Sequence, residues 1–283
     1  MEASGQSVRH RQLANELRRL REAKGLSTID VAEHMGWDRT KVNRIERGQW
    51  KRLNPQDVRA LADCYGVSDH EHREALMGMA RQTKLKGWWE RYSDLLGSSS
   101  YIALESEATC LRSFEALVVP GLFQTADYAA ALMQGRCDAS VIGRRTELRL
   151  TRQRHLDGNN PLQVRSIVDE AALRKLVGGP AVMRAQLHHL VAANEKPNVE
   201  LHIIPDSVGA HPGTSGQFVI LDFPFGPDAS VVFLENAHDG LYLEDRTDIE
   251  RYNELFKEVL DSSLSSKESS SFITNELIPK IVD

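Results

Sequence analysis

The sequence predicts two domains, an all-α head of five short helices and a larger α+β body with a mostly antiparallel sheet. Three observations carry this. Residues 13–82 break into short runs of helical apolar spacing, punctuated by glycines at 25, 36, 48 and 66. Strand-like runs cluster late, after several helical ones, which is the pattern of an α+β domain rather than of alternating βαβ units. The charge is split: residues 8–60 hold 13 Lys/Arg and 7 Asp/Glu, a balance of +6, while the rest of the chain carries -11. A basic head on an acidic body implies that one end meets a polyanion, which the net charge of -5 conceals.

The 283 residues suffice for two cores. No run approaches the roughly 18 apolar residues of a membrane span, and residues 1–12 are too polar for a signal peptide. Cys64, Cys110 and Cys137 lie far apart and form no CxxC pair. They argue against a disulfide framework and a zinc ribbon, and for a reducing cytoplasm.

Residues 1–9 read as a flexible arm and 10–82 as the head. Leu13, Leu17 and Leu20 give the first helix its inner stripe, and Gly25 ends it. Ser27 caps the second, with Asp30 as an imperfect capping box, and Val31, Ala32 and Met35 face inward until Gly36. Asp38 caps a third helix, seamed by Val42 and Ile45 and stopped by Gly48. Pro55 opens a fourth, with Val58, Leu61 and Ala62 inside, and a fifth covers 69–82. The body, 87–261, reads as helices over 88–96, 125–134, 139–155, 169–176, 180–194 and 246–261. Its strands are 108–118, 162–168, 198–204, 217–223, 230–235 and 240–243. Residues 262–283 read as a serine-rich flexible linker and a short apolar tail.

The strongest local signal is LSTIDVAEHMGWDRTKVNRIERG, Leu26 to Gly48. Two short helices meet at a glycine turn, small Ala32 permits close approach, and Val42 and Ile45 pin the second helix. Its outer face carries Arg39, Thr40, Lys41, Asn43, Arg44 and Arg47. A helix N-terminus already favours phosphate, Arg reads guanine with two hydrogen bonds and Asn reads adenine likewise. An isolated basic face would be a solvated surface, but the capped partner helix and the buried seam make it a helix-turn-helix reading surface.

On LRRLREAKGLS, VAEHMGW and KVNRIERG, residues 10–67 resemble an Xre/Cro-type helix-turn-helix domain. The resemblance implies a homodimer on a double-stranded operator with two half-sites. It assigns base reading to Arg39, Thr40 and Arg44, base or phosphate contact to Lys41 and Asn43, and phosphate contact to Lys51 and Arg52, with Arg47 beside them. Thr28 stands where the family commonly has a phosphate-anchoring Gln, and its hydroxyl has a shorter reach. Arg21 and Glu46 match a family pair that forms a buried, structural salt bridge. Residues 87–261 resemble the companion domain of the actinobacterial WhiJ-like regulators, on KGWWERYSDLL, EALVVPGLFQTADYA, RRTELRLTRQRHL and HIIPDSVGAHPGTSGQFVILDFP. That resemblance implies control of developmental or antibiotic-related genes, often by repression, and pairing with a small protein encoded by a neighbouring gene.

The body's own motifs decide less. PDSVGAHPGTSGQF carries Gly209, His211, Gly213 and Gly216, but leads into a strand, so no phosphate cradle forms; a wide loop competes with a partner or ligand contact. His188–His189 and His70-Glu71-His72 lack metal-ligand spacing. The basic run Arg144, Arg145, Arg149, Arg152 and Arg154 reads as a solvated or internally salt-bridged face, and Trp88 and Trp89 as packing anchors. No nucleophile–base–orienter set is visible, so neither catalytic residues, metal nor cofactor is expected. The reading is a non-enzymatic DNA-binding regulator. The rivals are an antitoxin-like protein that binds DNA for autoregulation, and an enzyme fused to a DNA-binding module.

Overall fold

A computed structural model describes residues 8–50, 53–82, 88–96, 101–135, 137–224, 230–236 and 240–282. The chain divides into two compact units, Met1–Ala103 and Leu104–Asp283.

The first unit contains α1 (Val8–Ala23), α2 (Thr28–Met35), α3 (Arg39–Glu46), α4 (Pro55–Cys64) and α5 (His70–Gln82). Their ends are set by local chemistry. The Ser27 hydroxyl accepts the Asp30 N–H at 3.2 Å, and the Asp30 carboxylate accepts the Ser27 N–H at 2.7 Å, completing the capping box. Gly36 closes α2 at φ +61°, and the following Trp37 N–H donates back to the Ala32 carbonyl at 2.8 Å. Asp38 caps α3 and Asn54 caps α4. Leu13, Leu17, Val31, Val42, Ile45, Val58, Leu61 and Leu76 fill the core. A 3-10 turn (Trp88–Tyr92) and α6 (Ser93–Leu96) also belong to this unit, which therefore runs beyond the boundary expected at 82–87. Trp88 sets its ring edge-on to Trp89 and Tyr92, at 6.0 and 6.3 Å between centroids.

In the second unit, β1 (Cys110–Glu115), β2 (Gln163–Asp169), β3 (Val199–Ile204), β4 (Phe218–Asp222), β5 (Val231–Glu235) and β6 (Gly240–Leu243) form one sheet of order β3-β2-β1-β4-β5-β6. The β1–β4, β4–β5 and β5–β6 pairs are antiparallel, as the late strand cluster predicts. The β1–β2 and β2–β3 pairs are parallel, because α8 (Ala126–Met133) and α9 (Ala139–Gln153) intervene in the first connection and α10 (Glu170–Arg174) and α11 (Pro180–Ala193) in the second. α7 (Tyr101–Glu105) precedes β1. α12 (Arg246–Asp261) buries Ile249, Phe256 and Val259 against Phe114, Ile167, Phe218, Ile220 and Val232 of the sheet.

The serine-rich segment is not a free linker. It folds as α13 (Ser266–Phe272) and packs on β3, an outer strand of the sheet. The buried Ser269 hydroxyl accepts the Ile203 N–H at 2.9 Å, and the Leu264 N–H donates to the Ile203 carbonyl at 2.8 Å. Asn194 joins both sides, accepting the Leu201 N–H at 2.7 Å and donating to the Ser266 carbonyl at 2.9 Å. Serine hydroxyls that would bond water in a linker here satisfy the free edge of a strand. Ile273 and Leu277 beyond them are buried.

The arginines of α9 turn inward in part. Arg152 donates to both Glu105 oxygens at 2.7 and 2.6 Å, and Arg149 donates to Gln124 Oε1. Burial, reinforced by Arg152, pulls the Arg149 pKa down to about 10. Burial and then Glu235 push the nearby Glu115 carboxyl up to about 8, against the pull of Arg152 and Arg149.

Ser269→Ala should leave the Ile203 N–H without a partner, at a cost of about 1–3 kcal/mol, whereas exposed Ser271→Ala should change little. Hydrogen exchange at Ile203 measures this, and equal protection in both variants would contradict it. The Glu115 pKa lies above its unfolded value near 4.5, so the folded state holds a proton between about pH 4.5 and 8. The associated stability is complete below that window and is lost as pH rises through 8, by up to about 1.4 kcal/mol per pH unit. Urea unfolding by circular dichroism between pH 6 and 9 should show the loss, and Glu115→Gln should flatten it. The four tryptophans, all in the first unit, track that unit separately.

Candidate nucleic-acid interface

Eight residues make α3, and their spacing sorts them into two faces. Val42, Ile45 and Glu46 are buried. Thr40, Arg44 and Arg47, at i, i+4 and i+7, are exposed together with Arg39, and Asn43 is half-buried beside them. Among the described residues Arg39, Arg44 and Arg47 form no ion pair. Several other arginines are paired: Arg18 with Glu22 at 2.8 Å, Arg19 with Glu16 at 2.7 Å and Arg73 with Asp63, while exposed Arg59 on α4 forms no ion pair among the described residues. Three guanidiniums thus face outward from one short helix and its C-cap, Arg47.

Two of the expected readers are less free than their spacing implies. The Lys41 ammonium lies 3.0 Å from the Asp57 carboxylate on α4 and 3.6 Å from the centre of the Trp37 ring. It braces α3 against α4 and the turn. The Thr40 hydroxyl donates to Asp38 Oδ1 at 2.5 Å, and the Thr40 N–H donates to the same oxygen at 2.7 Å. The start of α3 is therefore capped by its own carboxylate, and Thr40 offers a base only its lone pairs. Thr28 stands half-buried at the first position of α2. Lys51 and Arg52 lie outside the described residues.

Arg21 and Glu46 meet with side chains 10% and 4% exposed. Arg21 Nε donates to both Glu46 oxygens at 2.9 Å, Arg21 Nη1 donates to the Leu26 carbonyl at 2.7 Å, and the Tyr65 hydroxyl donates to Glu46 Oε1 at 2.9 Å. The network ties α1, the turn before α2, the end of α3 and the end of α4 together. Burial first, and then the Glu46 charge, hold the Tyr65 phenol well above the usual tyrosine range. Tyr65 and the Trp37–Asp57 clamp are the residues that sequence reasoning missed. The only sequence signal for Tyr65 was an aromatic beside Gly66 at a helix end.

In the second unit, the glycine loop connects β3 to β4. His211 is buried, with 5% of its side chain exposed, and its ring stands edge-on to Phe114 at 5.6 Å. His211 Nδ1 accepts the Gly213 N–H at 3.2 Å, so the ring proton sits on Nε2, 3.3 Å from Asp169 Oδ2. A Cβ on Gly213 would fall 2.7 Å from the Phe114 ring, and Gly216 takes φ +132°, so both positions require glycine. Gly209 turns the chain at φ +72°. Among the described residues, no cluster of His, Cys, Asp or Glu is arranged to hold a metal ion, and no helix is long and apolar enough to cross a membrane.

Glu46→Ala should strand the Arg21 guanidinium in a buried site and destabilise the first unit by about 3 kcal/mol. Tyr65→Phe should cost about 1 kcal/mol. Urea unfolding by tryptophan fluorescence reads both, and a loss of only a few tenths for Glu46→Ala would show that the pair does not anchor α3.

Comparison with known proteins follows the same division. Residues 12–76 match a family described as Helix-turn-helix domain, a match that supports DNA binding and transcription regulation. No curated protein and no solved structure matches the chain. Residues 98–275 match a second family, and with well over half of its length inside that match the chain belongs to the family described as Domain of unknown function (DUF5753).

Proposed function

We propose that the chain is a sequence-specific transcriptional repressor that works as a homodimer on an operator of two half-sites, with the second unit receiving a signal from a ligand or a small partner protein. The observation supporting it is the outer face of α3 and its C-cap, where Arg39, Arg44 and Arg47 cluster with no ion pair among the described residues, while Arg18, Arg19, Arg21 and Arg73 are paired. Unpaired guanidiniums on a short helix next to a glycine turn suit the major groove, where Arg pairs with guanine O6 and N7. Arg39 and Arg44 are assigned to bases, Asn43 to base or phosphate, and Arg47 and Thr28 to phosphate. Thr40 accepts from a base, because its proton is committed to Asp38. Lys41 serves mainly as a brace for the helix.

Three or four base-reading side chains are too few to single out one genomic site, and two copies on half-sites about 34 Å apart double the readout. The repressor role and the small partner protein rest on the resemblance to the WhiJ-like group. The second unit, residues 104–283, holds 17 Lys/Arg and 26 Asp/Glu, and this balance of -9 disfavours DNA contact and suits a partner with basic or apolar patches.

Selection of bound sequences from a random DNA pool tests the reading. Arg44→Ala should weaken binding to the selected site by about 1–3 kcal/mol and relax preference at one base position, whereas Arg18→Ala should leave preference intact. Sedimentation should show a dimer of the 31.8 kDa chain. An Arg44→Ala protein with unchanged preference, or a monomer on the full operator, would overturn the corresponding part.

A further inference from the structure

The sheet of the second unit contains a topological switch. The chain steps outward from β1 to β2 to β3, then returns across the sheet to β4 on the other side of β1. The carboxyl ends of the three parallel strands share one edge, and β4, running antiparallel, begins there. Phe114 and Phe218 form the last β1–β4 pair. Beyond them the two strands separate, with Ala116 and Leu117 following β1 and Gln217 preceding β4. Crevices of this kind, outside the carboxyl ends of strands where the order reverses, are where open sheets bind ligands.

A cavity of about 370 Å³ occupies that position, within the size range of small-molecule sites. Phe114, Ala116 and Leu117 give it an apolar wall, and Leu117 is 58% exposed at its mouth. Among the described residues, no lysine or arginine lines it. The one fixed charge among those that do is an acceptor, the Asp169 carboxylate. The Thr214 hydroxyl donates to the His211 carbonyl at 2.9 Å, and His211 Nε2 faces Asp169. Two acceptors have capacity left. Asp169 Oδ1 caps α10, accepting the Ala171 N–H at 2.8 Å, and Oδ2 faces His211 Nε2 at 3.3 Å, which leaves each carboxylate oxygen a further lone pair. Gln217 Oε1 is buried and makes no hydrogen bond. A buried acceptor without a partner is costly, and a donor on a ligand would offset that cost.

The geometry points to a binding site in this crevice for a small organic amine, with its ammonium on Asp169 and Gln217 and its apolar, ring-sized body against Phe114, Ala116 and Leu117. The site gives a ligand class to the signal-receiving role of the second unit and rests on that reading. Lys175, whose ammonium donates to the Leu117 carbonyl at 2.8 Å, stands outside the lining, so a carboxylate ligand would meet the Asp169 carboxylate with no Lys or Arg among the lining residues to offset it.

The test uses the full chain, with its alanine and leucine methyls labelled for NMR, and two probes with the same ring and opposite charge, 2-phenylethylamine and 3-phenylpropionate. The amine should shift the Ala116 and Leu117 methyl signals saturably at millimolar concentration, and the acid should not. Ala116→Leu, which fills the cavity, and Gln217→Leu, which removes the unpaired acceptor, should each weaken the amine at least tenfold. Gln217→Leu keeps the test decisive if Ala116→Leu fails to fold. Equal or tighter binding of the acid, or amine shifts confined to other methyls, overturns the site. DNA affinity measured with and without saturating amine separates the two layers. A filled crevice with unchanged DNA affinity supports the site and overturns the signal-receiving reading, while an empty crevice overturns the site and leaves the DNA-binding reading intact.

Discussion

The buried contact between Arg21 and Glu46 is the constraint on which the first unit's reading surface depends. An eight-residue helix spans only about 12 Å and would not persist alone in water. Two apolar side chains, Val42 and Ile45, fix which face of α3 points inward but leave rotation and tilt loosely set. Glu46 supplies the third point, held by Arg21 from α1 and by the Tyr65 hydroxyl from the end of α4. Buried ion pairs contribute little net stability, because desolvation offsets most of their attraction. Their directional hydrogen bonds do fix geometry, and here they fix the direction in which Arg39, Arg44 and Arg47 project. Lys41 adds a fourth point through Asp57 and Trp37.

Most of the first unit was legible because its signals are local. Ser27 with Asp30, Asp38, Asn54 with Pro55 and the turn glycines act within a few residues of where they stand, and each element end follows from them. Strand positions in the second unit were legible for the same reason, from runs such as QFVILDF and SVVFLE. Partnership across the chain was not. Lys41 looks like a reader by helical spacing, and only the fold brings Asp57 to it. Arg149 and Arg152 read as a basic surface, and only the fold supplies Gln124 and Glu105.

The serine-rich tail shows the same limit from the other side. Its composition is that of a linker, since serine has little apolar surface to bury. A sheet edge, however, needs hydrogen-bonding groups more than it needs apolar ones. Ser269, Asn194 and the Leu264 backbone meet the free N–H and C=O groups of β3, and the same segment carries Ile273 and Leu277 into the core. Composition describes a segment's own preferences and is silent about the unpaired edge that it covers.

The parallel half of the sheet was likewise hidden, because strand direction is settled by what each crossover packs on. Its consequence lies in the connection from β3 to β4. Residues 205–217 cross the end of the sheet without forming a helix, passing through two 3-10 turns, Asp206–Val208 and Pro212–Ser215. Loops of this length inside compact domains are uncommon unless they serve a site. This one is also tightly specified: His211 is fixed in one tautomer between Gly213 and Asp169, and Gly213 leaves no room for a side chain against Phe114. A loop that merely returned the chain would tolerate variation at those positions. Fixing a histidine and a glycine against the floor of a crevice has a structural purpose if the crevice must keep its shape, and a rigid wall is what a small ligand requires for affinity.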